Sequence, residues 1–259
     1  MRFTASSLNT YADCPYRYFA QHTLKLRGAA DPEEMEFTKE GEVAHRAIER
    51  WERGERRQPI GEVSDACFDE VTAGMVTGHF NARSRELIRG TLERFAAAEE
   101  RHGETYRTPA APLGEHVEVN MGDTGQRQPE LTLADGAVVL LKGRMDRVDV
   151  AAAAAAGGRR PAIVVDYKYS EKGLPTNYCA QVEKGRQLQL PLYLLMLETL
   201  ELEPAGAELY PLRGEKAGRS GIYDEARLGG FFRAGVQPNG VVLPTADQKS
   251  TRLNSSHRL

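Results

Sequence analysis

Gly143 to Val150 reads GRMDRVDV, and Ala162 to Ser170 reads AIVVDYKYS. Both are short runs rich in β-branched and aromatic residues bounded by Gly, Pro or Ser, which predicts strands. In a strand, side chains i and i+2 share a face, so Asp166 and Lys168 point one way while Val165 and Tyr167 point the other. Ile163, Val164 and Val165 lead into that pair, as expected of a buried strand whose polar end opens into a cleft. Asp146 lies on the preceding strand, and an antiparallel hairpin would set it beside Asp166. Two adjacent carboxylates repel unless a positive charge lies between them, and hard oxygen donors suit Mg²⁺ or Mn²⁺. Surface ion pairs, Asp166 with Lys168 and Asp146 with Arg144 or Arg147, account for the same residues without a metal.

Outward from this pair, strands are expected at 116–121, 131–133, continuously over 138–150, at 162–170 and near 207–212. The run Ala151 to Ala156, followed by Gly157 and Gly158, is expected to be a low-complexity surface insertion between two of them. The N-terminal half has helical spacing instead. Residues 6–22 place Leu8, Tyr11, Tyr18 and Phe19 at helical intervals, with Ser6 or Ser7 as N-cap. Lys39 to Arg53 carries Val43, Ala47, Ile48 and Trp51 on one face, and 62–102 reads as helical despite Gly74, Gly78 and Gly90. From 187 to 202 helical spacing returns, with Pro191 tolerated in the first turn. Helices, a strand cluster, a helix and a further strand make one α/β domain with an N-terminal helical portion.

Three further side chains attach to the carboxylate strands. His45 sits at the boundary of the apolar and charged faces of its helix, where a packing histidine and a cleft-facing one are both accommodated. Gly41, four residues earlier, permits close approach of that helix to another backbone. Gln189 and Tyr193, spaced i, i+4, project from one face of the late helix.

At 259 residues and 41% hydrophobic content the chain can bury a core. Its apolar stretches fall well short of a membrane span of roughly 20 residues, and no signal-peptide pattern opens the chain, so a cytoplasmic protein is expected. Cys14, Cys67 and Cys179 form no CxxC pair and no disulfide framework. A net charge of −3 does not mark a strong nucleic-acid binder, and Arg17, Lys25 and Arg27 are the candidate phosphate contacts. No G-x-S-x-G elbow is present, which argues against a serine hydrolase.

Taken in order, CPYRYF at Cys14 to Phe19, G-x-x-x-H at Gly41 to His45, G-R-x-D-R-x-D at Gly143 to Asp149, D-Y-K at Asp166 to Lys168 and Q-x-x-x-Y at Gln189 to Tyr193 resemble the motifs of RecB-like PD-(D/E)xK nucleases. The resemblance runs over about residues 3 to 212 and is nearest to the C-terminal nuclease domain of AddB-type helicase–nuclease subunits, with CRISPR-associated RecB-like exonucleases as near relatives. It implies a restriction-endonuclease-like mixed central sheet flanked by helices. It implies His45, Asp146 and Asp166 as metal ligands for Mg²⁺ or Mn²⁺, Lys168 as catalytic lysine, and Gln189 and Tyr193 as residues that hold DNA or order the site. The expected function is that of a metal-dependent DNA nuclease, the exonuclease module of a helicase–nuclease complex in double-strand break repair, with DNA and a helicase subunit or domain as partners. A catalytically silent nuclease fold used as scaffold or DNA-binding module is the competing expectation. Many relatives hold an iron–sulfur cluster through an N-terminal cysteine and three later ones. Cys14 matches the first, no cysteine follows Cys179, and a cluster is therefore expected only in a longer parent chain. The domain is expected to occupy 1–245 and to be truncated, with 246–259 a disordered, non-native tail.

Overall fold

The structure, a computed structural model, describes residues 2–26, 32–54, 56–73, 79–106, 117–151, 158–214 and 218–243. Strand β1 (Arg2–Phe3), helices α1 (Ala5–Asp13) and α2 (Pro15–Tyr18) and a π-helical turn (Phe19–Thr23) precede α3 (Pro32–Arg53), α4 (Ile60–Thr72), α5 (His79–Glu100) and α6 (His102–Thr105). Then come β2 (Val117–Met121), β3 (Glu130–Thr132), β4 (Val138–Leu141), β5 (Gly143–Val150), β6 (Pro161–Lys168), α7 (Tyr178–Glu183), α8 (Gln189–Thr199), β7 (Glu203–Pro211), β8 (Ser220–Asp224) and β9 (Gly240–Leu243). Both the alanine-rich insertion after Ala151 and the expected tail from residue 246 fall outside the described residues.

The main sheet has six strands in the order β2-β5-β6-β7-β8-β9 and is mixed. β2, β5 and β6 form an antiparallel meander, β6 and β7 run parallel, and β8 pairs antiparallel with β7 and parallel with β9. The parallel β6–β7 step needs a crossover, which α7 and α8 supply. A second, three-stranded sheet has the order β1-β4-β3. This is the expected α/β architecture: a mixed sheet flanked by helices and preceded by a helical portion.

Alternation along β6 builds two cores. Ile163, Val165 and Tyr167 face α3, α4 and α5, packing with Ile48, Trp51, Ile88, Leu92 and Phe95. Ala162 and Val164 face α8, packing with Leu190, Tyr193, Met196 and Leu197. Burying such a Leu or Ile side chain contributes about 1.5–3 kcal/mol, so both layers are held mainly by apolar burial.

Several local expectations are corrected. The run 138–150 is two strands in two sheets, broken at Lys142, whose N–H donates to the carbonyl of Phe3 in β1. The helical stretch over 62–102 is α4 and α5, with 74–78 outside the described residues. Thr4, not Ser6 or Ser7, caps α1: its hydroxyl accepts from Ser7 N, and Ser7 Oγ accepts from Thr4 N. Tyr11 (55% exposed) and Phe19 (47%) do not pack into the core. Phe3, Ala5 and Leu8 do, joined by a hydrogen bond from Leu188 N to Asn9 Oδ1 and an ion pair between Asp13 and Arg186. A side chain at Gly41 would meet Tyr169 at an ordinary 3.7 Å, so close approach does not require glycine there. Gly143 is different, since a Cβ would come within 2.9 Å of Met196 Cε on α8.

Candidate metal centre

The β5–β6 ladder pairs Val150 with Ala162 through Arg147 with Val165. One step beyond, the Asp146 side chain enters: Tyr167 N donates to Asp146 Oδ2 at 2.8 Å. A carboxylate thereby takes the acceptor role a strand carbonyl would hold, and Asp146 is buried at the point where the strands part.

Asp146 Oδ1 lies 3.5 Å from His45 Nδ1 on α3. Glu118 on β2 completes a cluster in which one donor atom each of His45, Glu118 and Asp146 lies within 4.8 Å of the others. No motif or spacing in the sequence singles out Glu118. It adopts φ +53, a left-handed conformation rarely used by a non-glycine residue, and its carboxylate is buried, with Arg144 Nε 2.6 Å from Oε2.

Asp166 and Lys168 stand on the same face of β6, as the strand period predicts. Lys168 Nζ is 2.6 Å from Asp166 Oδ2 and donates to Gln189 Oε1 at 2.9 Å. Gln189 Nε2 donates to Asp166 Oδ1 and to Tyr193 Oη, each at 2.7 Å. The Tyr193 hydroxyl faces two acceptors, Arg144 O at 2.9 Å and Asp166 Oδ1 at 3.1 Å. Thus α8 lays a polar clamp along the buried carboxylate and lysine, and all six residues singled out in the sequence meet around the ends of β5 and β6. Asp166 stands beside the His45–Glu118–Asp146 cluster rather than within it.

The electrostatics are those of crowded anions. Burial, then repulsion from Asp146, pushes the Asp166 carboxyl up to about 6. Burial and the same neighbour push Glu118 to about 7, with Arg144 opposing. For His45, burial pulls downward, but the Asp146 carboxylate 3.5 Å away outweighs it and the net shift is upward. Three buried atoms, His45 Nδ1, Glu118 Oε2 and Asp166 Oδ2, make no well-directed hydrogen bond among the described residues. Oxygen donors with one imidazole, crowded where two strands part, fit a hard divalent cation.

Arg147 does not pair with Asp146, because its side chain points to the opposite side of the sheet. There, fully buried, it meets Asp149 and Glu99 at 2.6 Å each, while Arg219 meets Glu99 at 2.8 Å, Asp149 at 3.2 Å and Glu208 at 3.4 Å. Cys14 is partly buried, and its Sγ accepts from Arg17 N at the start of α2; Cys67 is in the core and Cys179 is exposed. Arg17 pairs with Asp13, Lys25 is exposed, and Arg27 lies outside the described residues.

A mixed α/β sheet that presents carboxylates and a lysine from adjacent strands defines a nuclease fold. The chain belongs to the PD-(D/E)XK nuclease superfamily, which it matches over residues 2–252. It is similar to an ATP-dependent helicase/deoxyribonuclease subunit of Moorella thermoacetica, 31% identical over 94% of this chain and 22% of the relative. The protein of the same description from Anoxybacillus flavithermus is 26% identical over 99% of this chain and 23% of that relative. That from Desulforamulus reducens is 29% identical over 75% and 17%. The chain thus spans less than a quarter of the length of these relatives. Among the described residues, no helix is long and apolar enough to cross a membrane.

Proposed function

We propose that this chain is a divalent-metal-dependent deoxyribonuclease domain, the exonuclease module of a cytoplasmic helicase–nuclease that processes broken DNA ends. The observation that carries this reading is the meeting of His45, Glu118 and Asp146 in one buried cluster beside the Asp166–Lys168 pair. The fold-bearing domain is assigned to residues 1–245, and the partners are DNA and a helicase subunit or domain.

His45, Glu118 and Asp146 would hold the cation, with Asp166 beside them, and Mg²⁺ is the species we assign. When bound, such an ion supplies Lewis-acid polarisation of the scissile phosphate and lowers the pKa of water. The chain's own groups do the rest. Lys168 Nζ, kept in place by Gln189 Oε1 and Asp166, carries a positive charge at a partly exposed position where charge develops on phosphate oxygens. Gln189 and Tyr193 fix Asp166 Oδ1, while Oδ2 is turned to Lys168 Nζ at 2.6 Å.

The test is degradation of linear single- and double-stranded DNA by the purified chain with Mg²⁺, with Mn²⁺ and with EDTA, beside Asp166→Ala and Lys168→Ala. Cleavage that requires the metal and is lost in both variants supports the reading. Cleavage retained in EDTA or in either variant overturns it.

A further inference from the structure

Tyr167 is the residue between Asp166 and Lys168, and the strand period turns its side chain away from theirs. Its backbone N–H nonetheless holds Asp146 Oδ2 at 2.8 Å on the site side. Its ring meets the His45 ring edge-on, with centroids 6.3 Å apart and planes at 72°. It is wedged in the core by Phe95, edge-on at 5.5 Å, and Tyr210 at 5.9 Å. Its hydroxyl accepts from Arg147 at 3.4 Å, the guanidinium that binds Asp149 and Glu99 on the rear of the sheet.

We propose that Tyr167 is the positioning residue of the metal centre: through its N–H and its ring, wedged in the core by Phe95 and Tyr210, it fixes the two ligands Asp146 and His45, which arrive from different elements. This rests on the metal-centre reading above. The physical case is that neither ligand is otherwise well anchored. His45 Nδ1 makes no well-directed hydrogen bond among the described residues, and the Tyr167 ring is what β6 sets against the imidazole. Asp146 lies beyond the last rung of the β5–β6 ladder, so the Tyr167 amide stands in for the next one. Groups that orient ligands without touching the metal typically change affinity about 10–100-fold when removed.

The experiment is Mn²⁺ binding to the full chain, read by electron paramagnetic resonance of free Mn²⁺, with circular dichroism recorded on each protein. Tyr167→Leu keeps apolar bulk but loses the ring, and its Mn²⁺ dissociation constant is expected to rise about tenfold or more. Tyr167→Phe keeps ring and N–H, and is expected to stay within about twofold of the wild type, because Arg147 retains its carboxylate partners. A folded Tyr167→Leu protein that binds like the wild type overturns the proposal, as does a Tyr167→Phe protein as weak as Tyr167→Leu. A second measurement leaves Tyr167 unaltered: in Asp146→Ala, hydrogen exchange at the Tyr167 amide should accelerate roughly tenfold or more while the Val165 amide is unchanged. Unaltered exchange at Tyr167 overturns the proposal even if Tyr167→Leu does not fold. Wild-type protein that binds no Mn²⁺ would instead bring down the metal-centre reading and this inference with it.

Discussion

Gln189 grips Asp166 and Lys168 at once: its Nε2 donates to Asp166 Oδ1 at 2.7 Å while its Oε1 accepts from Lys168 Nζ at 2.9 Å. One amide therefore sets both the orientation of the acid and the direction of the amine. Gln189→Ala should lower kcat for DNA cleavage about 10–100-fold with little change in melting temperature, because Tyr193 still holds Asp166. Steady-state kinetics beside thermal melts checks this; a variant as active as the wild type refutes it. Gln189→Glu should be worse, since it places another anion against Asp166.

Glu118→Gln should weaken Mg²⁺ and Mn²⁺ binding by about 10-fold or more, because it removes one of three clustered donors. It should also stabilise the metal-free protein, since a buried, repelled carboxylate is replaced by a neutral group. Titration calorimetry and metal-free melts report the two effects separately, and equal metal affinity would exclude Glu118 as a ligand.

In EDTA, the part of the stability carried by Asp166 and Glu118, read as the difference between the wild type and the Asp166→Asn, Glu118→Gln double variant, should fall as pH rises from about 4 to 7. Asp166 and Glu118 have folded-state values raised to about 6 and about 7, above the unfolded values of about 3.9 and 4.3. The folded state therefore binds more protons between those limits, and each carboxyl favours folding only while it remains protonated. His45, also raised, acts in the same direction, contributing fully below about 6.5 and losing that contribution as pH passes its folded value. Saturating Mg²⁺ should flatten the profile. Denaturant midpoints of the wild type and that double variant, measured across this range with and without metal, check it, and a wild-type-minus-variant difference that rises with pH in EDTA contradicts it.

Arg147→Met should destabilise the fold by about 3–5 kcal/mol, because it leaves Arg219 to compensate the buried Asp149, Glu99 and Glu208 carboxylates without its fellow guanidinium. Burial raises the Glu99 and Asp149 carboxyls, but Arg147 and Arg219 outweigh it and hold both below the usual range. Chemical denaturation reads the loss directly; a change under about 1 kcal/mol would show that the network contributes little.

The strand period is enough to pair Asp166 with Lys168 and to put Tyr167 on the other face, and the i, i+4 spacing is enough to join Gln189 with Tyr193. Glu118 is not legible in the same way. In VEVNM it looks like an ordinary outward residue, and its place in the cluster depends on the β2–β5 register and on a left-handed backbone that no spacing announces. The break at Lys142 is hidden for a related reason: an apolar run carries no mark of which sheet each half will join. At the N-terminus, one helical phase carried straight through residues 6–22 buries the wrong side chains. The chain resets at Cys14, which ends α1 and caps α2, and the π-helical turn at Phe19–Thr23 shifts the phase again, so Phe19 emerges into solvent, while Tyr11 lies exposed within α1 itself.

The parting of β5 and β6 beyond Arg147 and Val165 also bears on how this centre can tolerate change. Where a carboxylate stands in for a rung, the opening in the sheet and the group that serves it are the same object. Removing the Asp146 side chain therefore does more than subtract a donor. It leaves the Tyr167 amide to find its acceptor in water, so the fork should loosen at that residue while the Arg147–Val165 rung holds. An alanine at this position should make a poor decoy for trapping bound DNA, because no side chain on β5 then holds the Tyr167 amide, whereas Asp146→Asn, which keeps an acceptor oxygen, should hold the fork at its native width.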